Sequence, residues 1–181
     1  MVELLPGLGM RLPGDAGTLS FGMTQREAAW AAASLADVRD CWVCGASWAF
    51  GFVLRDVAVS VCGGAGERLD SIYIERIDTT VRGPAGSMVS YRDIDLFGHS
   101  FDEIQRALGL FDDDGTTAKG HYCDDNRGLV IQAPREPQPA KRQVALTERK
   151  PRQLEPLRPR YITAAGVFNL TTWVAGRELS G

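Results

Sequence analysis

The feature that most constrains this chain is a short segment that occurs twice. FGMTQRE at residues 21 to 27 recurs as FGHSFDE at residues 97 to 103, so both copies share the pattern Phe-Gly-x-[Ser/Thr]-x-x-Glu at a spacing of 76 residues. A match at a fixed offset is typical of duplicated supersecondary units, and two copies are too few for a solenoid. The sequence therefore predicts a pair of pseudo-repeated units.

Each copy carries the signals of a helix start. Thr24 and Ser100 are preferred N-cap residues, because their hydroxyl groups accept hydrogen bonds from backbone N–H groups that have no partner in the helix. Glu27 and Glu103 stand three residues later, where a carboxylate completes a capping box. Both segments are therefore predicted to join a strand to a helix.

Two helices follow from the residues after these caps. The alanine-rich run predicts a helix over residues 25 to 35, with Trp30 in the core. Apolar residues at helical spacing predict a second helix over residues 101 to 110, with Gly109 as its C-terminal breaker.

Strand patterns follow each helix. The first copy is predicted to form three strands of an antiparallel meander, at residues 42 to 50, 52 to 61 and 69 to 75. A glycine-rich turn joins the last two of these strands. The second copy predicts strands at residues 119 to 123, 128 to 132 and 161 to 167.

A basic, proline-rich interval delays the last predicted strand. Residues 134 to 160 contain six prolines, which cannot continue a sheet ladder, and Arg and Lys outnumber Glu there. We expect this interval to be an exposed insertion in a hairpin.

Together these patterns predict an α+β fold in which each unit is a helix packed on an antiparallel sheet. The units span residues 1–85 and 86–181, and their strands could form one continuous sheet.

Composition narrows the classes of function. The net charge of −3 argues against a nucleic-acid-binding protein, which usually carries a strongly basic face. No stretch approaches the ~18 apolar residues of a membrane span. The N-terminal residues lack a basic region followed by an apolar run, so we expect a cytoplasmic protein that does not contact membranes.

One motif has a chemical name. Cys41 and Cys44 form a Cys-x-x-Cys pair that could bind zinc or exchange thiols, and Cys62, His121 and Cys123 are the available partners for a metal. A second closely spaced pair is absent, so we expect buried or incidental thiols, no metal and no cofactor. No pattern nominates a catalytic residue.

The residues that remain for function are aromatic and basic. Tryptophan and tyrosine dominate binding hot spots, and the first predicted strands are rich in aromatic residues. The predicted partner-binding residues are Trp42, Trp48, Phe50, Tyr73, Arg142 and Arg149.

The arrangement of motifs resembles known families. The Phe-Gly-Met-Thr-x-x-Glu start at residues 21 to 27, the alanine-rich helix and the meander resemble the tandem units of β-lactamase-inhibitor-protein-like folds and of small outer-membrane-assembly lipoproteins. With Asp-Leu-Phe-Gly at residues 95 to 98, the chain is also similar to uncharacterised actinobacterial cytosolic proteins. The resemblance implies a concave sheet face that binds another protein.

The expected function is therefore a non-catalytic protein-binding module of the immunity, inhibitor or adaptor type. Two alternatives stay open: a small-molecule-binding protein or enzyme with a pocket between the two repeats, and a zinc- or thiol-dependent regulator centred on Cys41 and Cys44.

Overall fold

The computed structural model describes residues 1–43, 45–64, 66–77, 86–109, 121–124, 129–132 and 164–168. The predicted insertion at residues 134 to 160 lies outside the described residues, as do Cys44, Arg142 and Arg149.

The described residues form twelve strands and two helices. The strands are β1 (Val2–Leu5), β2 (Gly9–Arg11), β3 (Thr18–Ser20), β4 (Arg39–Asp40), β5 (Trp48–Leu54), β6 (Val57–Gly63), β7 (Leu69–Arg76), β8 (Val89–Tyr91), β9 (Ile94–Asp95), β10 (His121–Asp124), β11 (Leu129–Gln132) and β12 (Ala164–Phe168). The helices are α1 (Gln25–Ala33) and α2 (Phe101–Leu108). The fold is α+β, as predicted.

The strands form two separate sheets, which corrects the expectation that they could form one. The smaller sheet has the order β3-β2-β1-β8-β9, and the larger has the order β10-β11-β12-β7-β6-β5-β4. Every pairing is antiparallel except that of β1 with β8. Each sheet draws strands from both predicted units, because β1 pairs with β8 and β7 pairs with β12.

One core lies between the two sheets. In the larger sheet, direct pairing across the strands aligns buried residues into two rows. One row is Phe52–Val59–Ile74–Ala165–Ile131. The other contains Phe50, Val61, Ile72 and Leu129. Across this core, β1 contacts β12, and β2 contacts both β7 and β12. Because side chains alternate along a strand, the residues between these positions belong to the opposite side of the sheet.

The hairpin of β5 and β6 turns later than the sequence indicated. The strands predicted at residues 42 to 50 and 52 to 61 are separated by Gly51, but β5 continues through Gly51 to Leu54. The turn is the two-residue loop Arg55–Asp56, and Arg55 adopts a positive φ of 56° without being glycine or asparagine. Because this turn has no characteristic sequence, the strands predicted at residues 42–50 and 52–61 are displaced from those observed.

Both predicted helix starts are confirmed. The Thr24 hydroxyl accepts a hydrogen bond from the Glu27 backbone N–H at 3.3 Å, and the Glu27 carboxylate accepts one from the Thr24 N–H at 2.8 Å. Ser100 and Glu103 repeat this arrangement at 3.4 and 2.8 Å. The backbone N–H groups of the two caps lower the pKa of both glutamates.

The expectation that Trp30 packs in the core is wrong. Helix α1 buries Ala28 and Ala32, which lie four residues apart on one face, whereas the Trp30 side chain is 83% exposed. A residue two positions after Ala28 lies on the far side of the helix from that face. The small alanines let α1 approach β3 and β5 closely.

Candidate functional site

The structure places the predicted aromatic contact residues in different environments. Trp42 is 84% exposed, Tyr73 is 38% exposed, Trp48 is half-buried and Phe50 is completely buried. Of these four residues, Trp42 and Tyr73 are therefore the two that are exposed.

Phe50 belongs to the core, so the expectation that it lines an exposed face is wrong. Its ring stacks between Trp48, at a centroid distance of 5.9 Å, and Phe52, at 6.5 Å. Phe52 is also buried. These aromatic residues alternate with Ala49 and Gly51 along β5, so the register that places one ring in the core places all three on the same side.

Trp48 has a structural role at the edge of this core. Its ring occupies the space above Gly63, where an added Cβ would overlap the indole. The indole Nε1–H donates a hydrogen bond to the Glu67 carbonyl oxygen at 3.0 Å. Trp48 therefore holds the turn after β6 against β5, and it also lines a shallow cavity of about 530 Å³ beside Thr24 and Arg26.

The opposite side of the larger sheet presents a surface with small residues at its centre. Two rows of directly paired residues cross β5, β6 and β7 there: Gly51, Ser60 and Tyr73 in one row, and Val53, Ala58 and Glu75 in the other. We call these six residues the outer face. None of the six is buried, and the Val53 side chain is 53% exposed.

A shallow cavity of about 460 Å³ opens on the outer face beside the edge strand β4. Gly51, Val53 and Ala58 line it together with Arg39 and Cys41. A Cβ on Gly51 would lie 3.3 Å from the Val59 carbonyl oxygen and 4.0 Å from Cys41 Sγ. A larger residue at position 51 would therefore occupy the cavity.

The outer side of the larger sheet becomes buried at the end where Cys62 lies. Burial raises the pKa of the Cys62 thiol to about 11, so the thiol stays protonated and unreactive near neutral pH. Burial also raises the pKa of Asp70, whose carboxylate accepts a hydrogen bond from Ser71 Oγ at 3.1 Å. This end of the sheet provides packing rather than a nucleophile.

The register separates the residues considered for zinc. β10, which carries His121 and Cys123, lies four strands from β6, which carries Cys62. At about 4.8 Å per strand, this places their backbones about 19 Å apart, too far to share one ion with Zn–S bonds of about 2.3 Å. Among the described residues, no group of three or more His, Cys, Asp or Glu side chains could hold a metal.

Sequence reasoning missed most of the outer face. The missed residues belong to no chemical motif: Gly51, Val53, Ala58 and Ser60. Their pairing was not predicted, because the predicted strands do not place the hairpin turn at Arg55–Asp56. The usable signal was the alternation of Ala58 and Ser60 with the valines of β6, because it marks the side of the strand that faces away from the core.

In the part of the chain that the structure describes, no helix is long and apolar enough to cross a membrane. Comparison with known proteins gives no match to a family model, a curated protein or a solved structure.

Proposed function

We propose that the chain is a non-catalytic protein-binding module of the immunity, inhibitor or adaptor type, with the outer face as its contact surface. The proposal rests on the difference in burial between the two sides of the larger sheet. One side of β5, β6 and β7 is packed in the core, while the other exposes Val53 and Tyr73 around small residues. Exposed apolar surface with a polar rim is typical of protein contact sites.

Two further groups of residues are proposed as contacts. Trp42 offers a large exposed aromatic surface next to Cys41, which lines the cavity. Arg142 and Arg149, in the basic interval of residues 134 to 160, are proposed on their charge in the sequence. Arginine and tryptophan are the residues most enriched in binding hot spots.

The test is a quantitative comparison of partners captured by matched variants. Purified wild type, Val53→Asp, Tyr73→Asp and Trp30→Ser would be used to capture proteins from lysate of the native host, with mass-spectrometric quantification. Trp30 is the control because it is a large exposed aromatic residue on α1 and not on the outer face. We expect both outer-face variants to lose a protein that Trp30→Ser retains. A partner set that is the same for all four proteins would contradict the proposal.

The cavity supports a second candidate, a small-molecule-binding protein. Its volume of about 460 Å³ lies within the range of ligand pockets, and apolar residues line it with a few polar groups. The cavity lies on strands β4 to β6 of the first predicted unit, and not between the two units. A metabolite that raises the melting temperature of the wild type but not of Ala58→Leu would favour this candidate.

We also infer that the chain is a duplication with units at residues 1–85 and 86–181. The strand order supports this inference, because β5-β6-β7 and β10-β11-β12 meet at the antiparallel pair of β7 with β12. Likewise β2 and β3 lie on one side of β1, and β8 and β9 lie on the other. A two-fold rotation would produce both orders. An experimental structure with α1 and α2 on opposite sides of the larger sheet would contradict it.

The proposed compartment is the cytosol, where thiols stay reduced. Fractionation of the native host with an antibody against the chain tests this, and recovery outside the cytosolic fraction would contradict it.

A further inference from the structure

The cavity beside Trp48 lies at the edge of the core and not on the outer face, because Trp48 is on the core side of β5. Its volume of about 530 Å³ lies within the range of small-molecule sites. Arg26 and Ala29 of α1 line it together with Ser47, Trp48 and Glu67. We call it the Trp48 cavity. Its lining therefore combines an indole ring with one positive and one negative side chain.

Backbone pairing holds the two charged segments of the cavity next to each other. Thr24, the cap of α1, pairs with Arg68 in an isolated antiparallel bridge. The Glu67 N–H donates a hydrogen bond within its own turn at 3.0 Å, and its carbonyl oxygen accepts one from the Trp48 indole at 3.0 Å. Arg26 follows this bridge by two residues, and Glu67 precedes it by one. The two charged side chains therefore extend from backbone segments that are fixed together.

Glu67 has a strained backbone conformation. Its φ is 54°, in the left-handed region that favours glycine, whereas Gly64 and Gly66 of the same turn have no positive φ. A glycine at position 67 would relieve this strain and keep the carbonyl oxygen that the Trp48 indole uses. A charged residue in a strained position is typical of functional sites.

The two charges that line the cavity are opposite and do not pair with each other. Arg26 and Glu67 are both exposed, and neither makes a salt bridge within the described ranges. An anionic ligand would meet the Glu67 carboxylate, and a cationic ligand would meet the Arg26 guanidinium. A ligand with one ammonium and one carboxylate avoids both repulsions. The indole of Trp48 suits an apolar part of the same ligand.

We propose that the Trp48 cavity binds a small zwitterion with an apolar part, either a free amino acid or a short peptide with free ends. The ligand carboxylate would pair with Arg26, and the ligand ammonium would pair with Glu67. The apolar part would pack on the Trp48 indole. This site is separate from the outer face and goes beyond the proposed protein contact.

The test is ligand-observed NMR on the full-length chain, followed by titration, with L-leucine and L-phenylalanine as probes. Their amides lack the carboxylate and their N-acetyl derivatives lack the ammonium, so each ligand charge is removed in turn. The dipeptide leucyl-phenylalanine represents the peptide source. The titrations are repeated with Arg26→Gln, Glu67→Gln and the control Arg106→Gln. Arg106 is an exposed arginine on the other helix, α2, and does not line the cavity.

We expect the free amino acids to bind, and each derivative that lacks a charge to bind about tenfold more weakly or worse. Arg26→Gln should weaken the amino acids by a similar factor but should not weaken the amides, because the group that Arg26 contacts is already missing. Glu67→Gln should act in the same way toward the N-acetyl derivatives. Arg106→Gln should match the wild type.

A further variant, Glu67→Gly, separates ligand binding from folding. It should raise the urea midpoint of unfolding while it weakens amino-acid binding, because glycine relieves the strain and removes the carboxylate. A fall in the midpoint together with weaker binding would assign Glu67 to the fold and overturn the inference.

The remaining outcomes are equally distinct. Tighter binding of the dipeptide than of the amino acids would identify a peptide as the ligand, and the reverse order would identify a free amino acid. Absence of binding by every probe would overturn the zwitterion site. Equal affinities for the amino acids and their derivatives, or binding that is indifferent to Arg26→Gln and Glu67→Gln, would overturn it as well. None of these results would change the proposed role of the outer face.

Discussion

Replacing Phe50 with alanine should destabilise the protein severely, although the residue was predicted from the sequence to contact a partner. The Phe50 side chain has no exposed surface and stacks between two aromatic rings. A buried phenylalanine removes roughly 200 Å² from water, which corresponds to an upper estimate of about 5 kcal/mol. Measured Phe→Ala substitutions in cores cost about 3–5 kcal/mol. We therefore expect a loss of about 4 kcal/mol, a large share of the roughly 5–15 kcal/mol that stabilises a typical domain.

Urea unfolding followed by far-ultraviolet circular dichroism measures this loss without relying on the fluorescence of the adjacent Trp48. With a slope of about 2 kcal/mol per molar urea, the midpoint should fall by about 2 M. The matched control is Val53→Ala, three residues along the same strand and on the outer face, where we expect a change below about 0.5 kcal/mol. Equal midpoint shifts for the two variants would refute the assignment of inner and outer sides to β5.

Three further predictions concern the second cap and the closed end of the sheet. Ser100→Ala should lower the free energy of unfolding by about 1 kcal/mol, because it removes the acceptor for the Glu103 N–H; an unchanged urea midpoint would contradict this. Burial raises the pKa of Asp70 in the folded state, so the folded state binds this proton more tightly than the unfolded state does. The contribution of Asp70 to the free energy of unfolding should therefore fall as pH rises from its unfolded-state pKa through its folded-state pKa. Asp70→Asn should remove that part of the pH dependence, which unfolding curves at several pH values would detect, and identical pH profiles for variant and wild type would count against it. Cys41 should react with iodoacetamide at pH 8 while Cys62 stays unmodified, since Cys41 is exposed and the pKa of Cys62 is about 11; peptide mass mapping that finds Cys62 alkylated in the folded protein would rule this out.

The start of each helix was determined by the sequence alone. The hydrogen bonds of a capping box connect residues three positions apart, so Thr24 with Glu27 and Ser100 with Glu103 specify a helix start without distant contacts. The end of α2 is equally local, because Gly109 adopts the left-handed conformation that glycine favours. The α+β class followed from these helices and from the alternation of the valines in β6.

The division of residues between core and surface was decided only by the tertiary structure. A shift of one residue in strand register exchanges the two sides of a sheet, and the turn at Arg55 and Asp56 carries no glycine to mark it. The sequence therefore could not tell that Phe50 is buried while Val53 is exposed. The parallel pairing of β1 with β8 depends on contacts between residues nearly 90 positions apart, such as Val2 with Val89. The outer face, in contrast, comes from the pairing of the consecutive strands β5, β6 and β7, and its residues depend on where the hairpin between β5 and β6 turns.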